Sequence, residues 1–178
     1  AEKVAIITDS SACIPKELTQ KYSIELVPMN VIFGDRTYLD GIDITPAEFY
    51  ALLRQAKELP TTSHSSPGAH LLAYRRASLR ANNILCITLS SKFSGQFNSA
   101  LAAMEMAKES LPDVTIKVLD CGTAAAAQGL VVLAAAKAAA SGQTLTGVIT
   151  TANSVAKRVS LLACLLYTSP SPRDRTRS

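Results

Sequence analysis

The sequence predicts an α/β fold: an open, mostly parallel sheet with helices on both faces. Three observations predict it. Short apolar runs, Val4-Ala5-Ile6-Ile7-Thr8, Ile84-Leu85-Cys86-Ile87-Thr88-Leu89 and Val114-Thr115-Ile116-Lys117-Val118-Leu119, read as buried strands. Helical patterns alternate with them, as in a parallel sheet whose right-handed crossovers place helices on both sides. Each run ends in a polar turn, at Asp9-Ser10-Ser11, Ser90–Ser94 and Asp120–Thr123. Ligands of such sheets gather beyond the carboxyl ends of the strands.

The elements follow in order. After the first strand, Pro15 starts a short helix that reaches Tyr22. Ile24 to Phe33 is a second apolar run, interrupted by Pro28, a residue out of place in a central strand. Thr45-Pro46-Ala47-Glu48 is a capping box: the Thr45 hydroxyl and the Glu48 carboxylate each satisfy an amide of the other. Phe49, Leu52, Leu53 and Ala56 follow at helical spacing and predict a core-facing stripe. Pro60 ends that helix, and Thr61–Ser66 is read as a loop. Ser66 then caps a helix with Pro67 in its first turn. That helix carries Arg75, Arg76 and Arg80 on its wetter side.

A helix over Ser99–Lys108 ends before Pro112, and a long alanine-rich helix runs from the Asp120–Thr123 turn to about Ala140. Gly142 sits where a helix stops, and Thr144 caps a last helix expected to reach Leu166. Tyr167 to Ser178 lack apolar periodicity and read as a disordered or foreign tail. The expected organisation is therefore one α/β domain over residues 1–166 followed by a tail over 167–178.

Composition bounds the function. The chain has 178 residues, 48% of them hydrophobic, enough for a real core. A net charge of +4, about half of it from the last twelve residues, gives no basic stripe for nucleic acid. Cys13, Cys86, Cys121 and Cys164 are far apart and form neither a disulfide framework nor a zinc site, so a reducing cytoplasm is expected. The longest apolar stretch, Cys121 to Ala136, is too short to span a bilayer, and no stable membrane insertion is expected. His64 and His70, six apart, are poor joint ligands; no metal and no cofactor are expected. Asp9 and Asp120, at strand ends, either cap the following turns or hold a magnesium ion.

Two hydroxyl-rich stretches stand out, Thr61-Thr62-Ser63-His64-Ser65-Ser66 and Ser90-Ser91-Lys92-Phe93-Ser94-Gly95-Gln96. Each opens a helix, whose first amides lack internal partners and carry partial positive charge. Gly95 lets a ligand approach that backbone closely. Such hydroxyls either cap helices only or converge on one small anion held by neutral donors.

Residues 4 to about 160 resemble the amino-terminal part of the DegV family. The matching motifs are Thr8-Asp9-Ser10-Ser11-Ala12, Val27-Pro28-Met29-Asn30-Val31, Asp40-Gly41-Ile42-Asp43-Ile44, Glu48-Phe49-Tyr50, Pro60-Thr61-Thr62-Ser63 and Ser90-Ser91-Lys92-Phe93-Ser94-Gly95, continued by Asn98-Ser99-Ala100. The resemblance implies a cytoplasmic carrier that buries a long-chain fatty acid and presents its carboxyl group to a separate fatty acid kinase catalytic subunit. It implies that Thr62 and Ser94 bond the carboxyl group, with Ser63 and Ser91 beside them and Asp9, Ser10, Gly95 and His64 in support. No catalytic residue is implied in this chain. Burying the tail contributes about 0.8 kcal/mol per methylene.

The chain departs from the family pattern at His64-Ser65, where a Gln-Pro pair is usual. The resemblance also implies a second α/β domain in the family, which is expected to be missing or truncated here. The alternative function is a small enzyme acting on a phosphorylated or acylated metabolite. It lacks a G-x-S-x-G elbow, a G-x-G-x-x-G turn and a phosphate loop.

Overall fold

The computed structural model describes residues 2–162. Cys164, the expected boundary at Leu166 and the tail over 167–178 lie outside the described residues.

Four parallel strands form the main sheet: β1 (Val4–Asp9), β2 (Glu25–Val27), β6 (Asn83–Thr88) and β7 (Thr115–Asp120), in the order β2-β1-β6-β7. Their side chains alternate between the two faces, as the period of a strand requires. Ile7, Val27, Ile84 and Cys86 face α3 (Pro67–Ser78) and α4 (Gln96–Ser110) in one core. Ile6, Leu85 and Ile87 face α5 (Ala125–Ala140) and α6 (Leu145–Ala156) in the other. Ile7, Ile84, Leu85 and Ile87 are fully buried, each contributing about 1.5–3 kcal/mol. The sheet is therefore covered on both sides, as expected.

The helix starts follow their sequence signals. Thr45 and Glu48 form the capping box that opens α2 (Pro46–Gln55), and Ser66 accepts the Ala69 amide at the start of α3. Thr144 caps α6 by accepting from Gly147. A short α1 (Lys16–Lys21) follows Pro15. The apolar α5 crosses the 3-10 turn after β1 so closely that a side chain at Gly129 would strike the Ala12 carbonyl.

Four expectations change. The run from Ile24 to Phe33 is two strands, because the chain leaves the main sheet at Pro28. Beyond it β3 (Asn30–Phe33), β4 (Arg36–Leu39) and β5 (Thr61–Ser63) form a second, antiparallel sheet in the order β4-β3-β5. The Thr61–Ser66 stretch thus begins as a strand, since its backbone pairs with β3. The helix α2 has no buried residue and packs through Phe49 against Phe33, with ring centroids 5.6 Å apart. Phe49 of its apolar stripe thus meets the small sheet, and no residue of the stripe enters either core. The last helix stops at Ala156, ten residues short of the expected Leu166.

Candidate functional site

The site is built where strands of the main sheet end and the small sheet begins. Asp9, the last residue of β1, is fully buried. Its Oδ1 accepts from the Ser11 amide at 3.2 Å and from the Ser11 hydroxyl. Its Oδ2 accepts from the Leu89 amide and from Gln128 Nε2, each at 3.0 Å. Burial raises the Asp9 pKa, and these bonds oppose the rise without cancelling it. Through these bonds Asp9 secures the chain entering the Ser90 loop and ties it to α5. Ser10 has a similar task, its Oγ accepting the Met29 amide at 3.0 Å where the chain enters the small sheet.

The far end of the Ser90 loop is held by a second carboxylate. Asp120, the last residue of β7, accepts the Ser91 amide at 3.2 Å and the Gly122 amide at 2.9 Å. Burial pushes its pKa up, but bonds from Ser91 and Gly122 and the Lys92 charge outweigh it, leaving the group below the ordinary carboxylate range. Ser91 therefore turns to the β7 side. Among the described residues no three His, Cys, Asp or Glu side chains gather to hold a metal ion.

The two hydroxyl stretches meet through Ser65 and Gln96. Gln96, the first residue of α4, is fully buried. Its Oε1 accepts the Ser65 amide at 2.8 Å, and its Nε2 donates to Ser65 Oγ at 3.0 Å. Ser65 Oγ in turn donates to the Pro28 carbonyl at 2.6 Å. Beside this link the His64 ring lies over Gly95, with its Nδ1 3.1 Å from Ser99 Oγ and 3.2 Å from the Ser65 carbonyl.

Thr62 and Ser94 flank that junction, Thr62 two residues before His64 and Ser94 one before Gly95. Thr62 stands opposite Val31 in the small sheet, and Val31 stands opposite Tyr38, so these three share one face. Ser63 necessarily lies on the other face, where its Oγ accepts from Asn30 Nδ2 at 3.0 Å. Ser94 Oγ accepts the Gln96 amide at 3.3 Å at the start of α4, and the helical ladder begins only with Ser99 N–H to the Gly95 carbonyl at 3.0 Å. The first amides of α4 thus point out beside Ser94, an electropositive edge. Of the four hydroxyls expected to touch a carboxyl group, Thr62 and Ser94 border the junction. Ser63 and Ser91 are tied to Asn30 and Asp120.

Sequence reasoning did not assign roles to Ser65, Gln96, Ser99 or Gln128. Their partners are 31 to 120 residues away, and no local pattern reports such pairs.

Comparison with known proteins gives this geometry a lineage. The DegV family profile matches residues 3–165. The chain belongs to the DegV family. A DegV domain-containing protein of Caldanaerobacter subterraneus is 34% identical over 158 residues, covering 89% of this chain and 55% of that one. The crystal structure of DegV from Bacillus subtilis, described as a fatty acid binding protein, superposes with a TM-score of 0.81 at 30% identity, covering 88% of this chain and 55% of the other. A stearic acid-binding protein from Eubacterium ventriosum superposes with a TM-score of 0.77 at 28% identity over 86% and 52% of the two chains. The Streptococcus pneumoniae fatty acid kinase B3 protein, loaded with linoleic acid, shares the fold, with a TM-score of 0.72 at 21% identity over 87% and 54%. The chain spans about half the length of the DegV relatives it matches. Among the described residues no helix is long and apolar enough to cross a membrane.

Proposed function

We propose that this DegV chain binds a long-chain fatty acid and holds its carboxyl group between Thr62 and Ser94. The acid is then presented to a separate kinase subunit that phosphorylates it. The observation that carries this reading is the junction of His64-Ser65 with Gly95-Gln96, which draws two hydroxyl-bearing stretches to the amino end of one helix. Neutral hydroxyls and helix amides suit a carboxylate, since donors to the charged form keep it ionised without a buried cation. Ser63 and Ser91 form a supporting layer, through Asn30 and Asp120. The fatty acid bound by the Bacillus subtilis and Eubacterium ventriosum neighbours supports the ligand class. The kinase partner is supported by the family resemblance.

Mass spectrometry of an organic extract of the purified protein tests the proposal. A co-purified long-chain fatty acid, in near-stoichiometric amount, is the expected result. An extract free of fatty acid, from protein that also fails to take up added stearate, contradicts it.

A further inference from the structure

We propose that Gln96 is a positioning residue for the head group, acting through Ser65 to set the distance between Thr62 and Ser94. This rests on the fatty-acid reading above and adds to it the device that makes the site.

Gln96 spends both polar atoms of its side chain on one residue. The Oε1 takes the Ser65 amide, and the Nε2 takes the Ser65 hydroxyl oxygen, so the pair has one orientation only. Both residues are buried, Gln96 completely and Ser65 to 2% exposure, so neither bond is readily exchanged for water. The link continues from Ser65 Oγ to the Pro28 carbonyl, and from the adjacent Met29 amide to Ser10 Oγ at the end of β1. The small sheet, which carries Thr62, is thereby fastened to the main sheet and to α4, whose first turn abuts Ser94. Thr62 lies three residues before Ser65 and Ser94 two before Gln96, so a loosened pair changes their spacing directly. A proline at residue 65 would have no amide hydrogen to give Gln96 and no hydroxyl to give Pro28, so this clamp requires a residue such as the serine present here.

Gln96→Met keeps the length of the side chain and removes both hydrogen bonds. Stearate affinity is measured by displacement of a fluorescent long-chain fatty acid from the full chain, for wild type, Thr62→Ala, Gln96→Met and the double variant. We expect Gln96→Met to weaken binding about tenfold. In that background Thr62→Ala should cost under about threefold, because a misplaced hydroxyl has little left to lose. The Ser65 amide should lose its hydrogen-exchange protection in Gln96→Met. Full additivity of the two substitutions, or unchanged affinity in Gln96→Met, overturns the inference and leaves the carrier reading standing. Wild type that binds no stearate overturns both. Should Gln96→Met not fold, Ser65→Ala takes its place in the same cycle. It removes the hydroxyl bonds to Gln96 and Pro28 but keeps the amide bond, so a smaller loss of about threefold is expected, and full additivity with Thr62→Ala overturns the inference.

Discussion

The His64 ring lies so close over Gly95 that a Cβ at residue 95 would stand 2.7 Å from its Cδ2 and 2.9 Å from its Nε2. Both distances are below those of ordinary carbon contacts, so Gly95→Ala must push the ring off Ser99. Ser99 is buried, and losing its partner costs about 1–2 kcal/mol. Urea unfolding should show that loss in Gly95→Ala. In a His64→Ala background, adding Gly95→Ala should cost almost nothing more, since the ring that clashed is gone.

The hydroxyls should separate into two classes. Thr62→Ala and Ser94→Ala should each weaken fatty acid binding by about 1–3 kcal/mol without unfolding the protein. Ser63→Ala and Ser91→Ala should weaken it far less, because Ser63 lies on the face of β5 opposite Thr62 and the Ser91 amide is held on the β7 side by Asp120. Fatty-acid displacement titrations with circular dichroism on the same samples check this ordering.

Asp9 should prove structural. In Asp9→Asn one acceptor oxygen becomes an NH2 group facing donors, either the Ser11 pair or Leu89 and Gln128. A buried donor without a partner costs about 1–3 kcal/mol. Chemical denaturation of Asp9→Asn should show a loss of that size, with fatty acid affinity falling only as the folded fraction falls.

His70 should make stability depend on pH. The ring is fully buried on α3, and neither nitrogen has a hydrogen-bond partner among the described residues. Burial, helped by His64, pushes its pKa down to about 4 from 6.5. Between those values the unfolded chain binds the proton and the folded one does not. Stability therefore rises with pH across that window and is lost as pH falls from about 6.5 toward about 4, by roughly 3 kcal/mol in all. The raised pKa of Asp9 works in the opposite direction, so the difference between wild type and His70→Leu isolates the histidine. Urea midpoints at a series of pH values should fall more steeply on acidification in wild type than in His70→Leu.

What the sequence disclosed follows the range of the interactions involved. The strands at Ile84–Leu89 and Val4–Thr8, the Thr45–Glu48 capping box and the Ser66–Pro67 start were legible, because each is written within a few residues. Pro28 signalled trouble in a strand, yet not that the chain would leave one sheet for another. The stripe of α2 had the right period but not its destination, since periodicity gives a face and not what covers it. The Ser65–Gln96 clamp and the Gln128 bonds to Thr8 and Asp9 were out of reach, because they join residues that only the finished fold brings together.

The arginines in and just after α3 show the same limit in a milder form. Arg76 and Arg80 pair with Glu25 of β2, Arg76 Nε at 2.6 Å and Arg80 Nη1 at 3.6 Å. Both arginines are solvent-exposed, so these pairs are worth at most about 1 kcal/mol each.

A crystal structure of the chain with stearate bound bears most directly on the central claim. The account predicts the carboxylate between Thr62 Oγ1 and Ser94 Oγ, each at about 2.7 Å. A carboxylate found elsewhere, for instance beside Lys3 and Arg80 in the cleft at the amino ends of the strands, would contradict it.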